Sequence, residues 1–146
     1  MNQKRESSNP PKRNVLFLCT HNSSRSIMAE AIVKHYLGEK WQPFSAGTDP
    51  RGINPYAAKV LKEIGIEIPE AKSKSIDIFM GRNFDRVITL CDDAREFCPV
   101  WPGSGKREHI GFPDPSAAKG NQDEILAVFR LVREQIRDKI ISRLQE

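Results

Sequence analysis

Apolar and polar positions along the chain form two alternating kinds of segment. Residues 14–19 are a short apolar run rich in strand-forming side chains, which is typical of a strand buried on both faces of a parallel sheet. Residues 43–46, 86–90 and 108–112 have similar patterns and are predicted to form three further strands.

Segments with helical spacing lie between and after these strands. A first helix is predicted from Ser26 to about Leu37, with Gly38 at its end. Its predicted inward face consists of Ile27, Met28, Ala31, Ile32 and His35 or Tyr36. Asn54-Pro55 starts a second helix, which Gly65 closes, and residues 76–80 form a short third one. The last helix is predicted from the apolar residues Ile125, Phe129, Val132, Ile136 and Ile140.

Strands that alternate with helices predict an α/β fold, in which a parallel sheet is covered on both faces. Active sites in such sheets lie beyond the C-terminal ends of the strands. Cys19 and Cys91 each follow a predicted strand directly, so both are expected at that edge.

The length of 146 residues predicts one domain, at residues 14–146. Residues 1–13 are polar and contain proline, so we expect a disordered lead-in rather than a signal peptide. No apolar run approaches the roughly 20 residues that a membrane span needs. We therefore expect a cytoplasmic monomer without membrane contact.

The net charge of +4 favours anionic ligands. The chain lacks a basic stripe with interleaved aromatic residues, which argues against nucleic-acid binding. The odd number of cysteines, Cys19, Cys91 and Cys98, favours reactive thiols over a structural disulfide framework.

The loop from Cys19 to Ser26 carries the clearest chemical signal. Its Cys-x5-Arg spacing lies between a buried strand and a helix, so successive backbone N–H groups and the helix N-terminus can surround a tetrahedral oxyanion. Arg25 can donate two parallel hydrogen bonds to the anion, and the same field stabilises a thiolate on Cys19. Ser26 can donate a further hydrogen bond to that sulfur. The alternative is a buried cysteine near a capping arginine.

Residues 15–31, which contain this loop, resemble the signature of the low-molecular-weight tyrosine phosphatase superfamily. They resemble most closely its thioredoxin-coupled arsenate reductases. Ser45-Ala46-Gly47 and Asp114-Pro115 fit the same family. The resemblance implies a three-layer α/β fold with a four-stranded parallel sheet flanked by helices. It also implies that Cys19 is the nucleophile and Asp114 the general acid.

In this resemblance the oxyanion is held by the loop residues Thr20, His21, Asn22, Ser23, Ser24 and Arg25. Phosphate or sulfate can occupy the same loop as arsenate. His21 stands where many relatives have glycine, and its side chain is predicted to point to solvent rather than to shape access to the loop.

Cys91 and Cys98 are separated by six residues. If that stretch were helical, their α-carbons would lie ~10 Å apart, whereas a disulfide needs about 4.4–6.8 Å. A bond between them therefore requires an unwound segment. Zinc ligation together with Cys19 and His109 is a weak alternative because closely spaced pairs are absent, and inert buried thiols are another.

The resemblance favours redox roles for both cysteines. It implies that Cys91 attacks Cys19 to release arsenite, and that Cys98 then attacks Cys91. Thioredoxin is the implied electron donor, and no bound cofactor or metal is expected. Some relatives hold potassium beside the loop, but Lys74 stands at the position of one acidic ligand, so we predict no potassium requirement.

Two rival functions use the same loop. A tyrosine phosphatase would hydrolyse a phosphocysteine formed on Cys19, and weak phosphatase activity is expected in any case. Ser116 and Ser24 weaken this rival, because such phosphatases usually have an aromatic residue and a second loop cysteine at these positions. An anion-sensing module would leave Asp114 and the two later cysteines without a purpose.

Overall fold

The computed structural model describes residues 11–92 and 99–145. The four strands are β1 (Arg13–Cys19), β2 (Trp41–Gly47), β3 (Arg86–Thr89) and β4 (Lys106–His109). The three α-helices are α1 (Arg25–Leu37), α2 (Pro55–Glu63) and α3 (Gln122–Leu144). Two short 3-10 helices cover Ile76–Phe79 and Pro115–Ala117.

The strands form one sheet in the order β2-β1-β3-β4, and every pairing is parallel. The chain moves from β1 to β2 on one side and then crosses back to β3 on the other. The order therefore reverses between β1 and β3, and such a switch point opens a crevice at the C-terminal edge of a sheet. The predicted four-stranded parallel α/β sheet is confirmed.

Alternation along the strands divides the core into two layers. Phe17 and Ile88 point to one face, where α1, α2 and α3 pack together. Leu16 and Val87 point to the other face. That face is covered by an aromatic cluster of Phe44, Phe79, Phe84 and Trp101.

Several boundaries differ from those predicted. β1 begins at Arg13, which pairs with Trp41 and so belongs to the sheet rather than to the lead-in. Residues 1–10 of that lead-in lie outside the described residues. β4 covers residues 106–109 rather than 108–112, because Arg86 and Lys106 begin its ladder with β3. An edge strand needs no continuous apolar run, so Lys106 and Arg107 gave no strand signal.

The inward face of α1 was predicted too far along the chain. Ile27, Met28, Ala31 and Ile32 are buried as predicted, together with Ala29 and Val33. His35 and Tyr36 are exposed, and Tyr36 contacts α3 only at the surface, where the Arg137 guanidinium lies 5.4 Å from its ring centroid. No helix among the described residues has both the length and the apolarity to cross a membrane.

Glu63 joins α2 to α3 through two arginines. Arg130 donates from Nη2 to Oε2 of Glu63 at 2.7 Å and from Nε to Oε1 at 2.9 Å. Arg133 donates to Oε1 at 2.9 Å and also to the carbonyl of Val60. The hydrogen bonds from Arg130, with a further contribution from Arg133, lower the pKa of Glu63 although partial burial opposes this.

We expect Glu63→Gln to lower the free energy of unfolding at neutral pH by about 1 kcal/mol or less, because the pair is largely exposed. A pKa that is lowered by folding stabilises the protein above the unfolded pKa, and this contribution is lost as pH falls through the folded pKa. The difference between variant and wild type should therefore shrink on acidification. Urea unfolding from pH 7 to about 3 measures it. The exposed Glu67→Gln is the matched control, and an equal effect in both variants would contradict the assignment.

Candidate active site

The loop between β1 and α1 is held by donors outside it. Four consecutive carbonyl oxygens accept hydrogen bonds: Thr20 from Asp49 N at 2.8 Å, His21 from Arg51 N at 3.1 Å, Asn22 from Ser73 Oγ at 2.7 Å, and Ser23 from Asn54 N at 3.0 Å. In a trans peptide the N–H of the next residue points away from the carbonyl. The N–H groups of residues 21–24 therefore point to the other side of the loop, where they can bind an anion.

Asn22 fixes the turn of this loop. Its φ of 47° lies in the left-handed region, which asparagine tolerates better than most residues, and it is fully buried. Its amide donates to Ser26 Oγ at 2.7 Å, and its Oδ1 accepts from the backbone N of Lys74 at 2.7 Å. The side chain of Asn22 therefore holds the loop in shape, while its backbone N–H faces the anion position. We call the Cys19–Ser26 loop with its inward N–H groups the cradle.

Cys19 lies at the base of the cradle with 1% of its surface exposed, and its thiol is free. Its Sγ lies 2.9 Å from Ser26 Oγ. Asn22 already donates to that same oxygen, so the Ser26 hydroxyl proton is available to the sulfur. The Cys19 sulfur therefore lies beside a hydroxyl donor in the first turn of α1.

Arg25 and Asp114 form the opposite wall. Arg25 is 3% exposed; its Nη1 donates to the carbonyl of Phe112 at 3.3 Å, and its Nη2 lies 3.8 Å from Asp114 Oδ2. Ser116 donates to Asp114 Oδ1 from its backbone N at 3.0 Å and from Oγ at 2.7 Å. One carboxylate oxygen of Asp114 is thus anchored, and the other is directed towards the guanidinium beside the cradle.

Ser24 precedes α1 without capping it through its side chain. Its Oγ is buried and has no hydrogen-bond partner among the residues that the structure describes. A buried hydroxyl without a partner is costly, and a bound oxyanion would satisfy it.

His21 was expected to point to solvent, but its ring contacts Asp49 instead. Its Nδ1 lies 3.1 Å from the carbonyl oxygen of Asp49 and 3.6 Å from the carboxylate of that residue. These contacts hold the ring at the rim of a cleft at the mouth of the cradle. The cleft is lined by His21, Ser23, Arg51, Asn54, Asp114 and Ser116, among others. Most of the side chains that line the cleft are polar.

The end of β2 approaches the cradle so closely that only glycine fits. A Cβ added to Gly47 would lie 2.5 Å from the carbonyl oxygen of Thr20 and 2.9 Å from the N of Asn22. Beside it, Lys74 Nζ donates to the carbonyl of Lys72 at 2.8 Å and lies 3.5 Å from Ser45 Oγ and 3.7 Å from Glu30. The Lys74 ammonium therefore lies under the loop among carboxylate, hydroxyl and carbonyl oxygens.

Cys91 follows β3, the strand beside β1. It is fully buried and is held in a disulfide. Cys98, predicted as its partner in the relay, lies outside the described residues. Among residues 11–92 and 99–145, no three His, Cys, Asp or Glu side chains lie close enough to hold a metal ion.

Comparison with known proteins decides the family. The profile of the low molecular weight phosphotyrosine protein phosphatases matches residues 14–146. The chain belongs to this family. The resemblance first drawn from the loop is thereby confirmed.

Similar family members carry one recurring description. An arsenate reductase from Bacillus subtilis is 47% identical over 132 residues, which cover 90% of this chain and 92% of that protein. A solved structure described as an arsenate reductase in the phosphate binding state has a TM-score of 0.77 and 30% identity, and the match covers 91% and 97% of the two chains. A thioredoxin-dependent arsenate reductase from Corynebacterium glutamicum has a TM-score of 0.64 and 28% identity, and the match covers 97% and 67%.

The structure brings the predicted loop residues, Arg25, Ser26 and Asp114 around Cys19, and it places Cys91 at the end of the neighbouring strand. The sequence did not predict the residues that donate hydrogen bonds to the loop from outside it, which are Asp49, Arg51, Asn54 and Ser73. Three of these donate from backbone N–H groups. Every residue except proline has such a group, so no residue type in the sequence marks these donors. The Ser45-Ala46-Gly47 segment was the one available sign of a close approach to the loop.

We expect Gly47→Ala to weaken binding of inorganic phosphate at least about tenfold and to cost about 1–3 kcal/mol of stability, because the new methyl group displaces the Thr20 peptide. Isothermal titration calorimetry and urea unfolding measure the two effects. Gly65→Ala is the matched control: its φ of 84° makes alanine strained, but nothing lies within 4 Å of the added atom. That variant should lose stability and keep its phosphate affinity. Unchanged phosphate binding in Gly47→Ala would contradict the close approach.

Proposed function

We propose that this protein is an arsenate reductase in which Cys19, Cys91 and Cys98 form a disulfide relay regenerated by thioredoxin. The observation that carries the proposal is the position of Cys91 at the end of the strand beside the Cys19 cradle. Relatives described as arsenate reductases, at 46–47% identity, support the reaction. The thioredoxin-dependent relative supports the donor.

In the first step arsenate occupies the cradle, held by Arg25 and by the N–H groups of the loop. The Cys19 thiolate attacks arsenic, and an arsenic–oxygen bond breaks. Asp114 protonates the departing oxygen, which leaves as water. The anchored geometry of Asp114, with one oxygen bound by Ser116 and the other beside Arg25, is suited to this proton transfer.

The second step transfers the oxidation to Cys91. Leu18 and Thr89 pair across β1 and β3, so Cys91 lies one residue beyond the position opposite Cys19. Strand geometry continued to Cys91 would give a separation of about 6 Å between the two α-carbons, within the range of a disulfide. The β3 ladder stops at Thr89 and Cys91 lies in a bend beyond it, so strand alternation does not set the direction of its side chain. Its thiolate attacks Cys19 Sγ, the sulfur–arsenic bond breaks, and its electron pair leaves on arsenic as arsenite.

In the third step Cys98 attacks Cys91, which frees the Cys19 thiolate and leaves a Cys91–Cys98 disulfide. A free Cys19 and a disulfide-bonded Cys91 are the states expected after this step. Cys91 is fully buried, so the donor must attack the Cys98 sulfur. A dithiol donor supplies two electrons and returns both cysteines to thiols, for which no bound cofactor or metal is needed.

This reaction fits the predicted cytoplasmic location, because thioredoxin keeps cytosolic thiols reduced. The monomeric state stays a prediction. Phosphate and sulfate share the tetrahedral shape of arsenate and would compete for the cradle. The same cradle supports a weak phosphatase side activity. A main role as tyrosine phosphatase is less well supported, because Ser116 leaves the mouth without an aromatic surface for the substrate ring.

We expect Cys98→Ser to complete one turnover and then stop, since nothing resolves the Cys19–Cys91 disulfide. Wild type should consume NADPH continuously with arsenate, thioredoxin and thioredoxin reductase. Mass spectrometry of peptides from the stalled variant should detect the Cys19–Cys91 bond.

Cys91→Ser separates this relay from simpler chemistry. It should bind arsenate but fail to release arsenite even once. If Cys91→Ser and Cys98→Ser both kept full turnover with thioredoxin, the relay would be refuted. Hydrolysis of p-nitrophenyl phosphate reports on Cys19, Arg25 and Asp114 alone, and should survive in both variants.

We also expect turnover to be insensitive to potassium, since the Lys74 ammonium already occupies the oxygen-lined setting beside Glu30 and Ser45. Replacing sodium by potassium at constant ionic strength should change the rate by less than about twofold. Lys74→Ala vacates that setting and should make the rate respond to potassium. Stimulation of the wild type by potassium would contradict the assignment of Lys74.

A further inference from the structure

The His21 ring is held by one of its two nitrogens. Its Nδ1 lies 3.1 Å from the carbonyl oxygen of Asp49 and 3.6 Å from Oδ2 of the same residue. Both oxygens are acceptors, so Nδ1 carries a proton in this arrangement. The Asp49 carboxylate is in turn fixed by Arg51, whose Nε and Nη2 lie 3.0 and 2.9 Å from Oδ2. The ring therefore has a defined position, although 29% of the side chain is exposed.

The second nitrogen of the ring is available to a ligand. His21 Nε2 makes no hydrogen bond or ion pair within residues 11–92 and 99–145. The ring lines the cleft at the mouth of the cradle, which encloses about 370 Å³, and Asp114 lines the same cleft. The imidazole can therefore bind the part of a substrate that extends from the cradle into this cleft.

The part of a bound anion that extends into the cleft is its fourth oxygen. A tetrahedral anion turns three oxygens towards the loop N–H groups and Arg25. In a displacement by Cys19 the leaving oxygen lies roughly in line with the attacking sulfur, on the far side of the central atom. Because Cys19 lies at the base of the cradle, this oxygen faces the mouth, where Asp114 and His21 are both found.

An oxygen without a substituent suits His21 in either protonation state of the ring. The neutral ring accepts at Nε2 from an As–OH group, and the imidazolium donates from Nε2 to an As–O⁻ group. The bridging oxygen of an ester has no proton to donate, and its substituent must pass the ring to reach solvent. A site that hydrogen-bonds a substrate hydroxyl discriminates against the analogue that lacks it, because the polar group of the site is then left unpaired.

We propose that His21 sets the substrate class of this site: its Nε2 binds the leaving oxygen and favours free tetrahedral oxyanions over their monoesters. This inference rests on the proposed function and deepens it. The neutral ring holds the hydroxyl proton of the anion in a hydrogen bond, which leaves a lone pair of that oxygen for the proton of Asp114. As the bond from Cys19 to arsenic forms and the arsenic–oxygen bond breaks, the oxygen leaves with both protons as water. His21 gains and loses no proton.

The test compares a free oxyanion with a mimic of a monoester. Isothermal titration calorimetry measures the Kd of inorganic phosphate and of phenylphosphonate, in which a phenyl group stands in place of the fourth oxygen. In His21→Ala we expect the Kd of phosphate to rise about five- to tenfold, because one hydrogen bond is lost. The Kd of phenylphosphonate should fall or stay within about twofold of the wild-type value, because that ligand never had the bond.

His35→Ala is the matched control. His35 is an exposed histidine in the last turn of α1, at the opposite end of that helix from the cradle. Both Kd values should keep their wild-type size in this variant. His21→Phe retains a ring at the rim without a nitrogen, and it should lose affinity for phosphate as His21→Ala does.

Turnover supplies a second measurement of the same preference. In His21→Ala we expect kcat/KM for arsenate to fall about five- to tenfold, while kcat/KM for p-nitrophenyl phosphate stays the same or rises. Opposite responses of the two substrates distinguish selection from simple damage to the loop, which would lower both values together.

Three results would overturn the proposal. An equal loss of affinity for both ligands in His21→Ala would show that the side chain only supports the loop. A larger loss for phenylphosphonate would show that the ring instead binds the substituent, and wild-type affinity for phosphate in His21→Phe would show that the nitrogen is not needed. The calorimetric comparison does not depend on reduction. Failure of the wild type to form arsenite with thioredoxin, beside the expected change in the two Kd values, would refute the proposed function and leave the preference for free oxyanions supported.

Discussion

An anion cradle made from backbone requires that every carbonyl of the loop be satisfied from outside. Inward N–H groups force the carbonyls of residues 20–23 outward, where partners from the loop after β2 and from Ser73 meet them. Gly47 allows β2 to end against the Thr20 peptide, and so brings those partners within reach. Residues from the middle of the chain therefore hold in place an eight-residue loop near the N-terminal end of the fold.

The parallel sheet supplies the second constraint. Because β1 and β3 are neighbours and end at the same edge, residues far apart in sequence are brought side by side there. Cys19 at the end of β1 and Cys91 after β3 need no special loop to approach one another. The strand register sets their separation, and Cys91 lies in a bend beyond the end of β3.

The fold and the Cys19 loop were predictable because their signals are local. An apolar run, a Cys-x5-Arg spacing and an Asn-Pro helix start can each be recognised within a few residues, and each was confirmed as a structural element. The errors arose where tertiary packing decides. Lys106 and Arg107 form an edge strand despite their charge, and His35 and Tyr36 are exposed although their spacing continues that of the buried face. The contact of His21 with Asp49 depends on a loop 28 residues away, which no local pattern shows.

Burial and access impose opposite demands on the proposed chemistry. The cradle works because Cys19 is 1% exposed, so that backbone dipoles and Arg25 act with little screening by water. A protein donor is too large to reach a sulfur at the base of such a cleft, and Cys91 is buried as well. One nucleophile cannot be both shielded for the anion and open to another protein. The proposed relay would reconcile the two demands, since it separates the reaction on arsenic at Cys19 from the exchange with the protein donor at another cysteine.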